Sequence, residues 1–231
     1  VNEAPVKLLS SMATRAVLAE LAAQFQEATG RAVEAEAAGG VDVAKRVRAG
    51  EAFDVVVLAR DVIDLLISES VLLSGSRVDI VASPIAVAVR ADAARPDISS
   101  EEAVKRAVAA AKTLSYSTGP SGRYLEKTFE RWGLLDAIRP RIVVPPPGTP
   151  VASVVADGSA ELGFQQLSEL IDKPGIDVLG TLPDEIQSVT IFSGGISAIS
   201  ADPDAARALL AFLAAPDTAD AKRRYGLEPA G

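Results

Sequence analysis

Phe53 to Ala59, FDVVVLA, is a continuous run dominated by β-branched side chains. A strand with one wet face alternates apolar and polar residues. A run without that alternation fits a strand covered on both faces, as in a parallel sheet with helices above and below it. This constraint points to an α/β protein, and the rest of the chain reads accordingly. Strands are expected at Val6 to Ser10, Ala32 to Glu36, Leu114 to Tyr116, Arg141 to Val144, Glu161 to Gln165 and Ile176 to Leu179. Between them lie helical segments at Ala13 to Thr29, Val41 to Ala49, Arg60 to Glu69, Ser100 to Ala111, Gly122 to Trp132 and Val151 to Asp157. Helices Pro203 to Ala214 and Asp217 to Tyr225 close the chain. In the first helix Val17, Leu18, Leu21, Phe25 and Ala28 share one face, and Gly30 supplies the stop.

Two longer strands interrupt the alternation, Ser76 to Val89, broken by Pro84, and Ser188 to Phe192. Proline inside a strand marks an edge, a bulge or a crossover. We therefore expect two lobes with mainly parallel sheets, joined by two crossover strands across a cleft. One lobe takes residues 1–83 and 188–231, and the other residues 84–187. A chain of 231 residues suits two such lobes.

The chain has no histidine and no cysteine. That excludes Ser-His-Asp triads, Cys-His dyads, and zinc sites built on those ligands, so no metal and no cofactor is expected. A net charge of −8 argues against nucleic acid as a partner. No run reaches eighteen apolar residues, so direct membrane insertion is not expected. The first residue is Val1 rather than Met, which fits either a leader removed for export, the expected case, or a trimmed chain.

In open α/β sheets, ligands bind beyond the carboxyl ends of the strands. The loops at those ends are Ser10-Ser11, Gly39-Gly40, Ala59-Arg60, Ser117 to Arg123, Pro147 to Val151 and Gln165-Gln166. The segment from Thr113 to Leu134, TLSYSTGPSGRYLEKTFERWGL, joins a strand through a small polar loop to a helix. Backbone N–H groups at such a helix start suit an anion. The candidate ligand-binding residues are Ser10, Ser11, Gly39, Gly40, Arg60, Ser121, Arg123, Thr149, Val151 and Gln166. Each has a plainer reading beside it: the serines as helix caps, the arginines as partners of surface carboxylates.

The order and spacing of several motifs resemble the molybdate-binding type of periplasmic solute-binding proteins, over essentially the whole chain. They are LLSSMATRAVLAELAAQFQEATG, the Gly-Gly turn, RVRAGEAFDVVVLA, PSGRY, ADGSAELGFQ and the tail DAARALLAFLAAPDTADAKRRYGLEP. The resemblance implies a two-lobed type II fold, a small anionic ligand and delivery to an ABC-type membrane transporter from the periplasm. Its serine position falls on Ser11, its second-lobe loop position on Ser121, and its backbone donor near Thr149 to Val151. A hydroxyl residue of that family falls on Gly39 or Gly40, and its tyrosine becomes Gln166.

These departures, together with Arg60 and Arg123, shift the expected ligand from molybdate toward a di- or tricarboxylate, which matches the planar guanidinium fork. The alternative is an enzyme on the same scaffold, because one branch of this fold class contains aconitate isomerase. A proton shift needs an acid and a base. Without His or Cys the choice is Asp, Glu, Lys, Tyr or Ser; no catalytic residue is assigned, and Asp61 is the nearest carboxylate to the predicted loops. A regulatory effector domain is a third class, but no DNA-binding segment accompanies it.

Overall fold

The computed structural model describes residues 4–146 and 149–230. Two compact units emerge, Val1–Ser83 with Ile191–Gly231, and Pro84–Thr190. The first begins with β1 (Val6–Ser11), a 3-10 turn (Met12–Thr14) and α1 (Arg15–Thr29), which ends on Gly30 at φ 74. It continues through β2 (Val33–Ala38), α2 (Gly40–Arg48), β3 (Val55–Ala59), α3 (Arg60–Ser68) and β4 (Val78–Ser83).

The second unit holds β5 (Ile85–Arg90), α4 (Glu101–Ala110), β6 (Leu114–Tyr116), α5 (Pro120–Arg131), α6 (Leu135–Ile138), α7 (Val151–Ala156), β7 (Leu162–Gln166), α8 (Leu167–Leu170) and β8 (Ile176–Thr181). The chain then returns through β9 (Thr190–Ile196) to α9 (Pro203–Ala214), α10 (Ala219–Arg224) and β10 (Glu228–Pro229).

The first sheet has the order β10-β4-β9-β3-β1-β2, and the second β6-β7-β5-β8. Both are mixed, which corrects the expectation of mainly parallel sheets. The βα units give parallel pairs, β1 with β2 and β3, and β6 with β7. Strands that arrive without a crossover helix pair antiparallel, as β9 does on β3 and β5 on β7 and β8.

The FDVVVLA strand behaves as its composition demands. Val55 to Ala59 are all buried, with Val55 and Val57 in a cluster under α1 and α9, and Val56 and Leu58 in a second cluster under α2 and α3. Arg141 to Val144 does not form a strand. It carries the end of a 3-10 turn and one bridge, Ile142 to Leu114, before the prolines remove further donors. The Arg141 guanidinium instead donates to the carbonyls of Ala109 and Ala111 at the end of α4.

Candidate functional site

Parallel pairing brings three carboxyl ends to one edge of the first unit. Ser11 stands opposite Ala38, Ser10 opposite Val57, and Ala59 ends β3 two residues later. The starts of α2 and α3 therefore lie beside the turn after β1. Ser76 Oγ accepts from Ile196 N–H and Asp79 accepts from Ser193 Oγ, so β4 runs antiparallel to β9 and finishes at this same edge with Ser83.

The serines here are not caps. Ser11 precedes the 3-10 turn, yet its Oγ makes no capping bond; it is buried and has no partner among the described residues. Ser83 Oγ is likewise buried and unpartnered. Ser10 Oγ is engaged internally, with the Ser11 and Glu36 carbonyls at 3.3 and 3.4 Å. Gly39 and Gly40 open α2 with room to spare: a Cβ on either would meet nothing closer than 3.5 Å. The missing hydroxyl at this turn is thus not imposed by packing.

Arg60 differs from its reading as a fork held out for a ligand. It is the first residue of α3, and its Nη2 donates to Asp79 Oδ2 at 2.6 Å, while Asp79 Oδ1 accepts from Ser193 Oγ at 2.6 Å. The plainer reading of this arginine is the one the geometry favours, although its Nε is buried without a partner.

In the second unit β6 and β7 also end together, with Tyr116 opposite Phe164. The loop after β6 turns into α5, whose N-cap is Gly119 and whose first residue is Pro120. Ser121 is 1% exposed, and its Oγ bonds to nothing among the described residues. Arg123, one turn into the helix, is exposed and has no ion pair or hydrogen bond from its guanidinium among them. Gln166 ends β7; its Nε2 donates to Thr190 Oγ1 at 2.9 Å and its Oε1 is buried and unpaired. A threonine hydroxyl can donate or accept, so turning this amide over keeps the bond to Thr190 and presents the NH2 group instead.

The backbone donors expected near Thr149 and Val151 are already used. Thr149 N–H donates to the Pro146 carbonyl at 2.9 Å, and Val151 N–H to Gln165 Oε1 at 3.2 Å. Pro147 and Gly148, part of the same predicted loop, lie outside the described residues.

Beside them is a carboxyl that the sequence did not single out. Glu169 Oε1 accepts from Gln165 Nε2 at 2.8 Å, so one amide bridges the start of α7 to this carboxyl. Burial pushes its pKa up to about 7, only partly offset by the charge on Lys173. The i, i+4 spacing of Gln165 and Glu169 was the signal available, but nothing in the sequence shows that this glutamate is half-buried. Asp61, the nearest carboxylate by position, sits in the first turn of α3.

Two cavities are described, the second at Pro150 and the start of α7. One of about 350 Å³ opens beside Lys7, Glu34 and Phe53, and another of about 450 Å³ beside Ser153, Asp157 and Lys173. Among the described residues no cluster of acidic side chains could hold a metal ion, and no helix is long and apolar enough to cross a membrane.

The residue pattern of bacterial extracellular solute-binding proteins matches this chain over residues 6–228. The chain belongs to that family. The chain is 39% identical to an aconitate isomerase from Pseudomonas sp. over 230 residues, covering 96% of this chain and 87% of the relative. The solute-binding fold is also that of the periplasmic molybdate-binding protein of Azotobacter vinelandii, with a TM-score of 0.80, 21% identity, and 96% and 98% of the two chains covered. A tungstate-binding protein of Desulfovibrio alaskensis G20 superposes with a TM-score of 0.68 at 14% identity, over 94% and 93%. The last two show the fold alone, a type II, molybdate-binding-like fold.

Proposed function

We propose that this protein binds a small tricarboxylate and interconverts the cis and trans isomers of aconitate. The observation that carries the ligand class is a set of buried polar atoms without a partner among the described residues: the Ser11 and Ser83 hydroxyls at strand ends of one unit, and in the other the Ser121 hydroxyl at the start of α5 and Gln166 at the end of β7. A buried polar atom without a bond costs stability, so the open hydroxyls of each unit ask for ligand groups that satisfy them. Hydroxyl groups donate, as does the Gln166 amide once turned over on Thr190, which suits carboxylate oxygens. Arg123, exposed and unpaired, adds a charge-assisted fork.

The choice of an enzyme over a carrier rests on the aconitate isomerase relative and on Glu169. Isomerisation by proton shift removes a proton from the methylene carbon that adjoins both a carboxylate and the double bond. The electron pair spreads over three carbons, and a proton returned to the far carbon moves the double bond and changes its geometry. A proton holder for this exchange works best with a pKa near the working pH, and the Glu169 carboxyl at about 7 meets that condition without histidine. Gln165 holds it in place.

The second reading is a periplasmic carrier that hands the same ligand to an ABC-type transporter, and the family description favours it. Incubation of the purified protein with cis-aconitate, followed by chromatography, separates the two. Appearance of trans-aconitate supports the isomerase; a rise in melting temperature with no conversion supports the carrier.

A further inference from the structure

Lys222 is 1% exposed and stands among the largest fully buried side chains, yet its ammonium has no hydrogen bond or ion pair among the described residues. Lysine is rarely buried in this way, because an ammonium with little water and no partner is destabilising. The Lys222 Nζ is not among the wholly enclosed polar atoms, so what exposure remains lies at the charge. The surrounding charges do not relieve it. Glu20 on α1 is paired with Arg224, while Glu228 on β10 and Asp220 on α10 both pair with Arg223. None of these three acids is left over for Lys222.

The backbone around Lys222 fixes its place in the fold. Its carbonyl accepts from Leu227 N–H at 3.1 Å. The next residue, Glu228, pairs with Ala82, the neighbour of Ser83 at the end of β4. The Lys222 backbone therefore lies near the edge of the first unit where β1, β2, β3 and β4 all finish, one residue pair from Ser83 along the β10–β4 register. Burial also lowers its pKa to about 8, so most of the ammonium is still charged at neutral pH.

We infer that Lys222 is a buried counter-charge for the anionic ligand, held unpaired in the empty protein so that a ligand carboxylate becomes its partner. This rests on the carboxylate reading above, and it adds a residue that neither loop position nor arginine chemistry reveals. A lysine kept for this purpose lowers the stability of the empty protein and raises affinity for the ligand, whereas a merely structural lysine does neither.

Lys222→Met keeps the aliphatic stem and removes the charge. The melting temperature of the unliganded variant should rise, while its calorimetric affinity for trans-aconitate falls at least tenfold. In the wild-type protein, a 13C NMR titration of the Lys222 Cε should show its pKa moving upward when trans-aconitate is added, a readout that does not depend on the variant folding. An affinity within twofold of wild type, or a Lys222 titration that ligand leaves unmoved, overturns the inference while leaving the carboxylate reading intact. A wild-type protein that binds neither aconitate isomer nor citrate overturns that reading, and this inference with it.

Discussion

The carbonyl oxygen of Ser117 lies against the Cα of Gly122 so closely that a Cβ there would come within 1.6 Å of it. Gly122 has ordinary helical geometry, so the glycine is needed for space and not for backbone freedom. This contact folds the loop after β6 down onto α5 and sets the positions of Ser121 and Arg123 on either side of it. Gly122→Ala should therefore push the loop away. The expected cost is about 1–3 kcal/mol of stability, together with weakened carboxylate binding, measured by urea denaturation and calorimetry. A variant as stable as wild type that binds equally well would show that the loop does not position the site.

Ser11 and Ser121 make no bond through Oγ among the described residues, so they add little stability to the unliganded protein. Ser11→Ala and Ser121→Ala should each leave the melting temperature unchanged or slightly raised. Hydrogen bonds to a charged group contribute about 1.5–3 kcal/mol, so each change should weaken aconitate binding roughly ten- to a hundredfold. Lost stability without lost affinity would assign these hydroxyls to the fold.

The two arginines should behave differently. Arg123→Ala removes an exposed side chain with no partner, so stability should move by less than about 0.5 kcal/mol while carboxylate affinity falls tenfold or more. Arg60→Ala deprives Asp79 of a 2.6 Å partner and should cost up to about 1 kcal/mol of stability. Thermal melts and calorimetry on both variants decide this. Equal affinity losses with no stability loss at Arg60 would return that arginine to the ligand.

Glu169 predicts a pH dependence with a definite sign. Its carboxyl holds a proton in the folded chain up to about pH 7 but loses it near 4.5 when unfolded. Between those values the folded state binds more protons, so this contribution to stability is full below pH 4.5 and is lost as pH rises to 7. The shift corresponds to at most about 3 kcal/mol. Denaturation at pH 4.5, 6 and 8 should show wild type losing stability relative to Glu169→Gln across that window and no further change above it. Parallel curves for the two proteins would remove the raised pKa.

Much of the element order was legible because patterning and capping residues agree: Leu114 to Tyr116 and Pro203 to Ala214 coincide with β6 and α9. Short elements were not. The four-residue α6 and α8 and the two-residue β10 lack a full period of any pattern. The placement of Ser11, Ser121 and Gln166 at strand ends followed from the βα alternation. What sequence could not show was pairing over distance. Asp79 is nineteen residues from Arg60, and Gln165 takes up the Val151 N–H from fourteen residues away. Glu169 and Lys222 escaped for a related reason: whether a charged side chain is enclosed depends on packing from several elements, which local pattern does not encode.

The central claim is tested most directly by following purified protein and cis-aconitate by 1H NMR in D2O. The account predicts conversion to a stable mixture of cis and trans isomers, with deuterium entering at the carbon that regains the proton and with the rate sharply reduced in Glu169→Gln. An unchanged cis-aconitate spectrum under conditions where calorimetry shows the ligand bound would contradict the isomerase and leave a carrier.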